Sequence, residues 1–309
     1  METLREIVDP HFLLRNSVYV SLLVGFACPL VGMYLVLRRL VFLGVALPQV
    51  SSCGIACAFA LHSWGIIPHF EHGENALAFA GSTIVTLAVI FLLSVLERRS
   101  RGIVEGRVGT VYVLAGAWSI LLLVKNPFGE HGLLDRLKGE IIAVSDLDLG
   151  VTAGTYILVC FFLWLFNKEF LLISFDRDMA VTLQKNVIIW DTFLFLLIGL
   201  TISMSVLSVG PLVTFGFLLI PPLTAHVVAS SMRQFAVIAS LLGGGTAFIG
   251  FALAYAWDLP VGPTDVVLLG FIYAFVFLSK RMVTVIGRWS LAHQSERSAG
   301  FSPPQRPNR

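Results

Sequence analysis

In the apolar stretch RRLVFLGVALPQVSSCGIACAFALH, residues 38–62, Val45, Gln49, Cys53 and Cys57 recur at i, i+4, i+8 and i+12, with Ser52 beside them. A helix puts such a series on one face. A side-chain amide, or the carbonyl that Pro48 frees, is costly in hydrocarbon unless protein or water satisfies it. That face should therefore meet a protein interior or a wet cavity, and it is the candidate wall of a translocation path. Its two thiols, with Cys28 in the preceding apolar block and Met204 further along, would offer sulfur to a soft or borderline ion such as zinc or copper(I). The alternative is packing, the commoner fate of a buried cysteine.

A second constellation follows directly. His62, His69, Glu71, His72 and Glu74 fall within 13 residues, in HSWGIIPHFEHGEN. His69 and His72 stand three apart, close enough for joint coordination if the segment turns helical. The loop either gathers zinc or is simply a solvated polar loop. Three further groups lie near the ends of apolar blocks: Asp191, His226 and Asp265. An ionised side chain is far cheaper there than at mid-membrane. Asp191 and His226 read as helix-end anchors, and Asp265 as a carboxylate at the pore mouth.

The elements that must carry these residues are membrane helices. Hydrophobic residues make up 57% of the chain and charged residues 13%, about half the charged share of an ordinary soluble domain. The fold class is all-α, a polytopic helical membrane protein. Nine spans are expected, at residues 17–37, 41–62, 76–96, 108–125, 149–166, 188–207, 209–228, 235–256 and 264–279. Counts of eight or ten also fit, because LSVGP leaves only a tight break between the sixth and seventh spans and 137–145 reads as a short interfacial helix. With the amino end outside, the inner loops and tail hold 16 of the 21 Lys and Arg residues, the arrangement that the positive-inside rule favours. The domain plan is an extracytoplasmic segment at 1–16, a transmembrane domain at 17–279 and a cytoplasmic tail at 280–309. The tail is rich in Ser, Pro, Gln and Arg beyond about residue 290 and is expected to be mostly disordered. Pro211, Pro221 and Pro222 should break or kink the seventh helix, with Thr214 and Thr224 able to satisfy freed carbonyls, and Gly243 to Gly245 should allow close packing in the eighth.

One inner loop differs from the rest. FDRDMAVTLQKNVIIWD, residues 175–191, reads as a short amphipathic helix capped by Asp176 or Asp178, with Met179, Val181 and Leu183 as apolar contacts and an end at Lys185 and Asn186. It is either an interfacial helix or the seat of a soluble partner. No basic face interleaved with aromatics supports nucleic-acid binding. No Gly-x-x-x-x-Gly-Lys-[Ser/Thr], HExxH or GxSxG occurs in the chain, so an ATP site and two common hydrolytic sites find no support. An ion-gradient transporter or channel remains a competing class, although no carboxylate is expected at a midplane.

From Arg38 to about Ser279 the chain resembles the permease subunit of ATP-binding-cassette (ABC) importers for zinc, manganese and iron, the ABC-3 family. Arg38, Arg39 and residues 44–49 align with the family's Arg-Arg and Gly-Asp-Ala-x-x-His helix. Residues 105–109, 138–145, 176–184, 209–225 and 258–264 align with five more of its segments in order and spacing, the third of these being its coupling helix. The resemblance implies an ABC-permease bundle in the bacterial inner membrane, paired as a permease homodimer, coupled to a cytoplasmic ABC ATPase and fed by an extracytoplasmic solute-binding protein. ATP would be used by the partner subunit, with no cofactor bound by this chain. Asp176, Asp178, Met179, Ala180 and Leu183 would meet the ATPase, and the loop around His69 would be placed to receive the binding protein. The chain departs from the pattern where the family has Asp and His on the second helix. Those positions are Val45 and Gln49, and valine offers a cation no ligand atom. Gln184 stands where the coupling helix tends to have Gly.

Overall fold

The computed structural model describes residues 14–65, 74–99, 104–124 and 144–299, whose regular structure is all helical. In chain order the helices are α1 (Arg15–Leu37), α2 (Val41–Ser63), α3 (Glu74–Arg99), α4 (Val104–Val124), α5 (Asp146–Leu165), α6 (Asn167–Phe175), α7 (Arg177–Thr182), α8 (Val187–Val209), α9 (Pro211–Val228), α10 (Met232–Trp257) and α11 (Val261–Ala299). Among the described residues nine are long and apolar enough to cross a membrane, α6 and α7 being the exceptions. Each of the nine expected spans falls in one of them, to within a few residues at its ends.

Local chemistry explains several boundaries. Between α8 and α9 the chain breaks at one residue, Gly210, whose φ of 81° suits glycine, and Pro211 opens the next helix where a missing N–H costs nothing. Ser145, Asn186 and Ser231 cap α5, α8 and α10 by accepting from the main-chain N–H of Asp148, Ile189 and Gln234. At the α1–α2 corner Leu40 N–H donates to the Leu35 carbonyl and Arg39 N–H to that of Val36, a closed helix end with Arg39 at φ 58°.

Helices α1, α2, α8 and α9 form the centre. Burial covers 72% of the α2 span and 67% of the α1 span, against 17% for α4 and for α11. α10 lies along α1, α3 and α4 flank α2, α5 packs on α1 and α8, and α11 leans on α9 and α10. Two approaches are close enough to demand glycine. A methyl on Gly243 of α10 would stand 2.1 Å from the Gly25 carbonyl oxygen of α1, and one on Gly32 of α1 would stand 1.7 Å from the Leu218 carbonyl oxygen of α9. Leu218 precedes Pro222 by four residues, so its carbonyl is the one that the proline deprives of a helical donor. The backbone of α1 covers it directly.

Helix α9 is continuous through Pro221 and Pro222, and the only break in this region is the one at Gly210. Thr214 and Thr224 donate their hydroxyls to the carbonyls of Gly210 and Ile220, one turn back. The tail also departs from expectation. Helix α11 runs to Ala299, so residues 290–299 are helical rather than disordered; WSLAHQSERSA has no Gly or Pro, which arrive only at Gly300 and Pro303. Residues 300–309, and nearly all of the interfacial segment at 137–145, lie outside the described residues.

The two ends of the bundle differ in charge. At one end Arg38, Arg177 and Asp191 meet, near Lys185 and Glu169. At the other, Asn16 donates to Asp146 and Asn75 to Asp148. The first is the basic end, the one that the positive-inside rule favours for the cytoplasmic side.

Gly32→Ala forces α1 away from the Leu218 carbonyl and is expected to destabilise the fold by at least about 2 kcal/mol. Thermal unfolding in detergent checks this, with Gly245→Ala, which meets nothing within 4 Å, as the silent control.

Candidate functional site

The sequence around Pro48 builds α2 with small residues on the sides that other helices cover. Gly54 lets the Gly81 carbonyl and Ser82 backbone of α3 come close, and the Ser51 and Ser82 hydroxyls share a 2.6 Å hydrogen bond. Gly44 faces Leu218 of α9. The remaining face carries the expected series. Val45, Gln49 and Cys57 are half-buried, Cys53 is 7% exposed and Ser52 is buried. This face meets α4: a methyl on Gly116 would lie 3.2 Å from the Gln49 amide nitrogen. Gln49 therefore points into protein rather than lipid.

Cys53 and Cys57 stand one helical turn apart on this face, both as free thiols. They gather no third ligand, since the described residues contain no group of three His, Cys, Asp or Glu side chains able to hold a metal. Cys28 does not join them. Its sulfur lies 3.0 Å from the Ser205 hydroxyl of α8, which is also 2.7 Å from the Tyr156 hydroxyl of α5. Cys28 thus serves α1–α8–α5 packing, and Met204 is buried within α8. His62 ends α2 half-buried, while His69, Glu71 and His72 lie outside the described residues.

Asp265 corrects the sequence reading. It is fully buried, and neither carboxylate oxygen has a hydrogen-bond partner among the described residues. The carboxyl fits against Gly250, where a methyl would stand 1.8 Å from Oδ1. Because α11 packs on α9 and α10, the side chain belongs to that junction and does not join the α2 face as a pore-mouth carboxylate. His226 is exposed and its ring packs near Phe235, consistent with an anchor.

The basic end is more tightly organised. Asp176 Oδ1 accepts from Met179 N–H at 2.9 Å and caps α7. Ala180 is fully buried, whereas Met179, Val181 and Leu183 are each more than half exposed, so the apolar side chains point outward. The helix ends at Thr182, three residues before Lys185. Lys185 N–H donates to the Ala180 carbonyl and Gln184 N–H to that of Val181, with Gln184 at φ 54°. This is the closed helix end that glycine usually occupies.

Above α7 sits a cluster that sequence reasoning left as a simple anchor. Arg38 Nη1 donates to Asp191 Oδ1 at 2.8 Å and Arg38 Nε to the Ser174 hydroxyl at 2.9 Å, while its guanidinium lies 5.5 Å from the Phe195 ring centre. Arg177, in α7, reaches the other Asp191 oxygen at 3.4 Å. Burial draws the Arg38 guanidinium below its ordinary pKa and the Asp191 carboxylate opposes that shift. The detectable signal was an acid four residues into an apolar helix, VIIWD, opposite an arginine pair that closes another.

Residues 11–280 match the ABC 3 transport family. The chain belongs to that family. It is 30% identical over 271 residues to an uncharacterized membrane protein of Synechocystis, covering 87% of this chain and 91% of that one. It is 26% identical over 277 residues to the manganese import system permease protein ScaB of Streptococcus gordonii, covering 89% and 94%. Among solved structures, PsaBC from Streptococcus pneumoniae shares the fold with a TM-score of 0.76 at 23% identity, covering 89% of this chain and 94% of that one. The family fold thus accommodates Val45 and Gln49 on α2 and Gln184 at the end of α7 in this chain.

Gln184→Gly relieves a left-handed side-chain conformation at that end and is expected to stabilise the protein by about 0.5–1 kcal/mol. A rise in the thermal midpoint checks it, and an unchanged or lower midpoint refutes the strain.

Proposed function

We propose that this ABC 3 family member is the membrane permease subunit of an importer that carries a divalent metal ion, manganese, iron or zinc, across a bacterial inner membrane. The observation that carries this reading is the outward display of Met179, Val181 and Leu183 on a capped six-residue helix at the basic end. Exposed apolar side chains on a rigid helix suit the groove of a soluble partner, here an ABC ATPase. ATP is bound and hydrolysed by that partner, and the permease contributes no nucleotide site or cofactor. An extracytoplasmic binding protein delivers the solute. Two copies of the permease form a homodimer whose α2 faces line the path, and the helices open alternately to each side as the ATPase closes and releases. The metal cargo is inferred from relatives named for manganese and iron transport.

With Val45 and Gln49 in place of a carboxylate and an imidazole, the path holds a hard cation weakly. Selectivity then rests with the binding protein. The placement of two free thiols, Cys53 and Cys57, one turn apart on the α2 face favours a second reading, in which the solute is a softer ion held by sulfur.

Reconstitution of the permease, its ATPase and its binding protein in proteoliposomes tests both readings. ATP-dependent uptake of manganese, iron or zinc, unchanged in a Cys53→Ala, Cys57→Ala double variant, is the expected result. Uptake of copper(I) alone, lost at least tenfold in that variant, would favour the sulfur site. Uptake that follows an ion gradient and ignores ATP would refute an ABC importer.

A further inference from the structure

The Arg38 cluster joins four elements: the α1–α2 corner, α6, α7 and α8. Arg38 closes α1 two residues before Leu40, after which α2 begins at Val41. Ser174 stands at the end of α6, Arg177 in the first turn of α7 and Asp191 in the second turn of α8. Asp191 is shared, one oxygen taken by the arginine of the α1–α2 corner and the other by the arginine of α7. The Arg38 and Asp191 side chains are only 10% and 12% exposed, whereas that of Arg177 is 60% exposed. The inner pair is therefore shielded from screening by salt, and the outer contact is at the water.

The surroundings decide which parts are rigid. On one side Phe170 is fully buried and packs edge-on to Tyr34 of α1 and Trp190 of α8, with Phe166 and Phe193 completing an aromatic cluster. On the α2 side the packing is looser. Phe195, the ring beneath Arg38, also lines a cavity of about 210 Å³ with Arg39, Leu43, Ile90 and Arg107. The corner is tied to α7 and α8 by charge, and it has free volume on the side toward α3 and α4.

We infer that Arg38, Asp191 and Arg177 form an ionic relay that ties the position of α2 to that of α7. Arg38 and Asp191 are positioning residues that touch neither solute nor nucleotide. Displacement of α7 shifts Arg177 against Asp191. The shared carboxylate holds Arg38, and Arg38 carries the first turn of α2 with it. The Ser174 hydrogen bond keeps the guanidinium plane fixed, so the movement reaches the backbone instead of being absorbed by side-chain rotation. This inference rests on the proposed role of α7 as the ATPase seat, and it adds the route by which movement there reaches the path helix.

The test uses the assembled complex with its ATPase and the native Cys57 as reporter. Cys57 is half-buried on the α2 face, and its alkylation by a maleimide is followed by mass spectrometry of its peptide, with and without ATP and vanadate. In the wild type the rate is expected to change at least threefold with nucleotide. Asp191→Asn is expected to retain ATPase binding and ATP hydrolysis within twofold while losing most of that change, and Arg177→Gln to lose most of it when the response is scored per ATP-hydrolysing complex. Arg177→Gln keeps the test open should Asp191→Asn fold poorly, because the Arg177 side chain is largely in solvent. The charge swap Arg38→Asp with Asp191→Arg is expected to recover at least half of the response that Arg38→Asp alone removes. Single variants that hydrolyse ATP and still show the full wild-type change would overturn the relay, as would a swap no better than Arg38→Asp alone. A wild type whose Cys57 ignores nucleotide would overturn the tie between α7 and α2, while the permease reading itself stands or falls on ATP-dependent uptake in proteoliposomes.

Discussion

In hydrocarbon no water is at hand to satisfy a main-chain carbonyl that its own helix has abandoned, and α9 abandons one at Leu218. The centre of the bundle is arranged around that constraint. Pro222 removes the donor, Gly32 lets α1 close over the exposed oxygen, and Gly25, two turns earlier on the same face of α1, meets Gly243 of α10. Hydrophobic transfer gives little force between helices already in lipid, so contact distance is what holds them. Three helices locked by glycine form a frame against which α2 and α8 are placed.

Polar side chains supply the second layer of order. Ser51 with Ser82 joins α2 to α3, and Cys28, Ser205 and Tyr156 join α1, α8 and α5. Each group in these pairs has a partner within the protein, as a dry interior requires. Their distribution also separates functions: the hydroxyls and Cys28 serve packing, while the α2 face with Gln49 and the other two central thiols stays less covered.

Much of this was legible in the sequence because the membrane imposes simple rules. Length and apolarity marked all nine spans, and the basic bias marked the inner end. A cap at Asp176 or Asp178 was legible, and so was Gln184 as a departure where the family tends to have glycine; the structure selects Asp176. Pairings across the fold were not. Asp265 looked like a carboxylate near water because its distance from the end of a helix was visible, while the helix that would cover it was not. Asp191 and Arg38 stand 153 residues apart, and nothing in either segment specifies the other. Cys28 and Cys53 were plausible companions by type, but α1 turns its sulfur toward α8. The tail misled through composition, since its prolines lie after residue 299 and leave the preceding stretch free to continue α11.

The burial of Ala180 sets the mechanical character of the cytoplasmic joint. Its side chain is a single methyl group, and it is wholly enclosed. No long, rotatable chain occupies that point, and any bulkier residue there would act as a wedge that holds the short helix off the bundle.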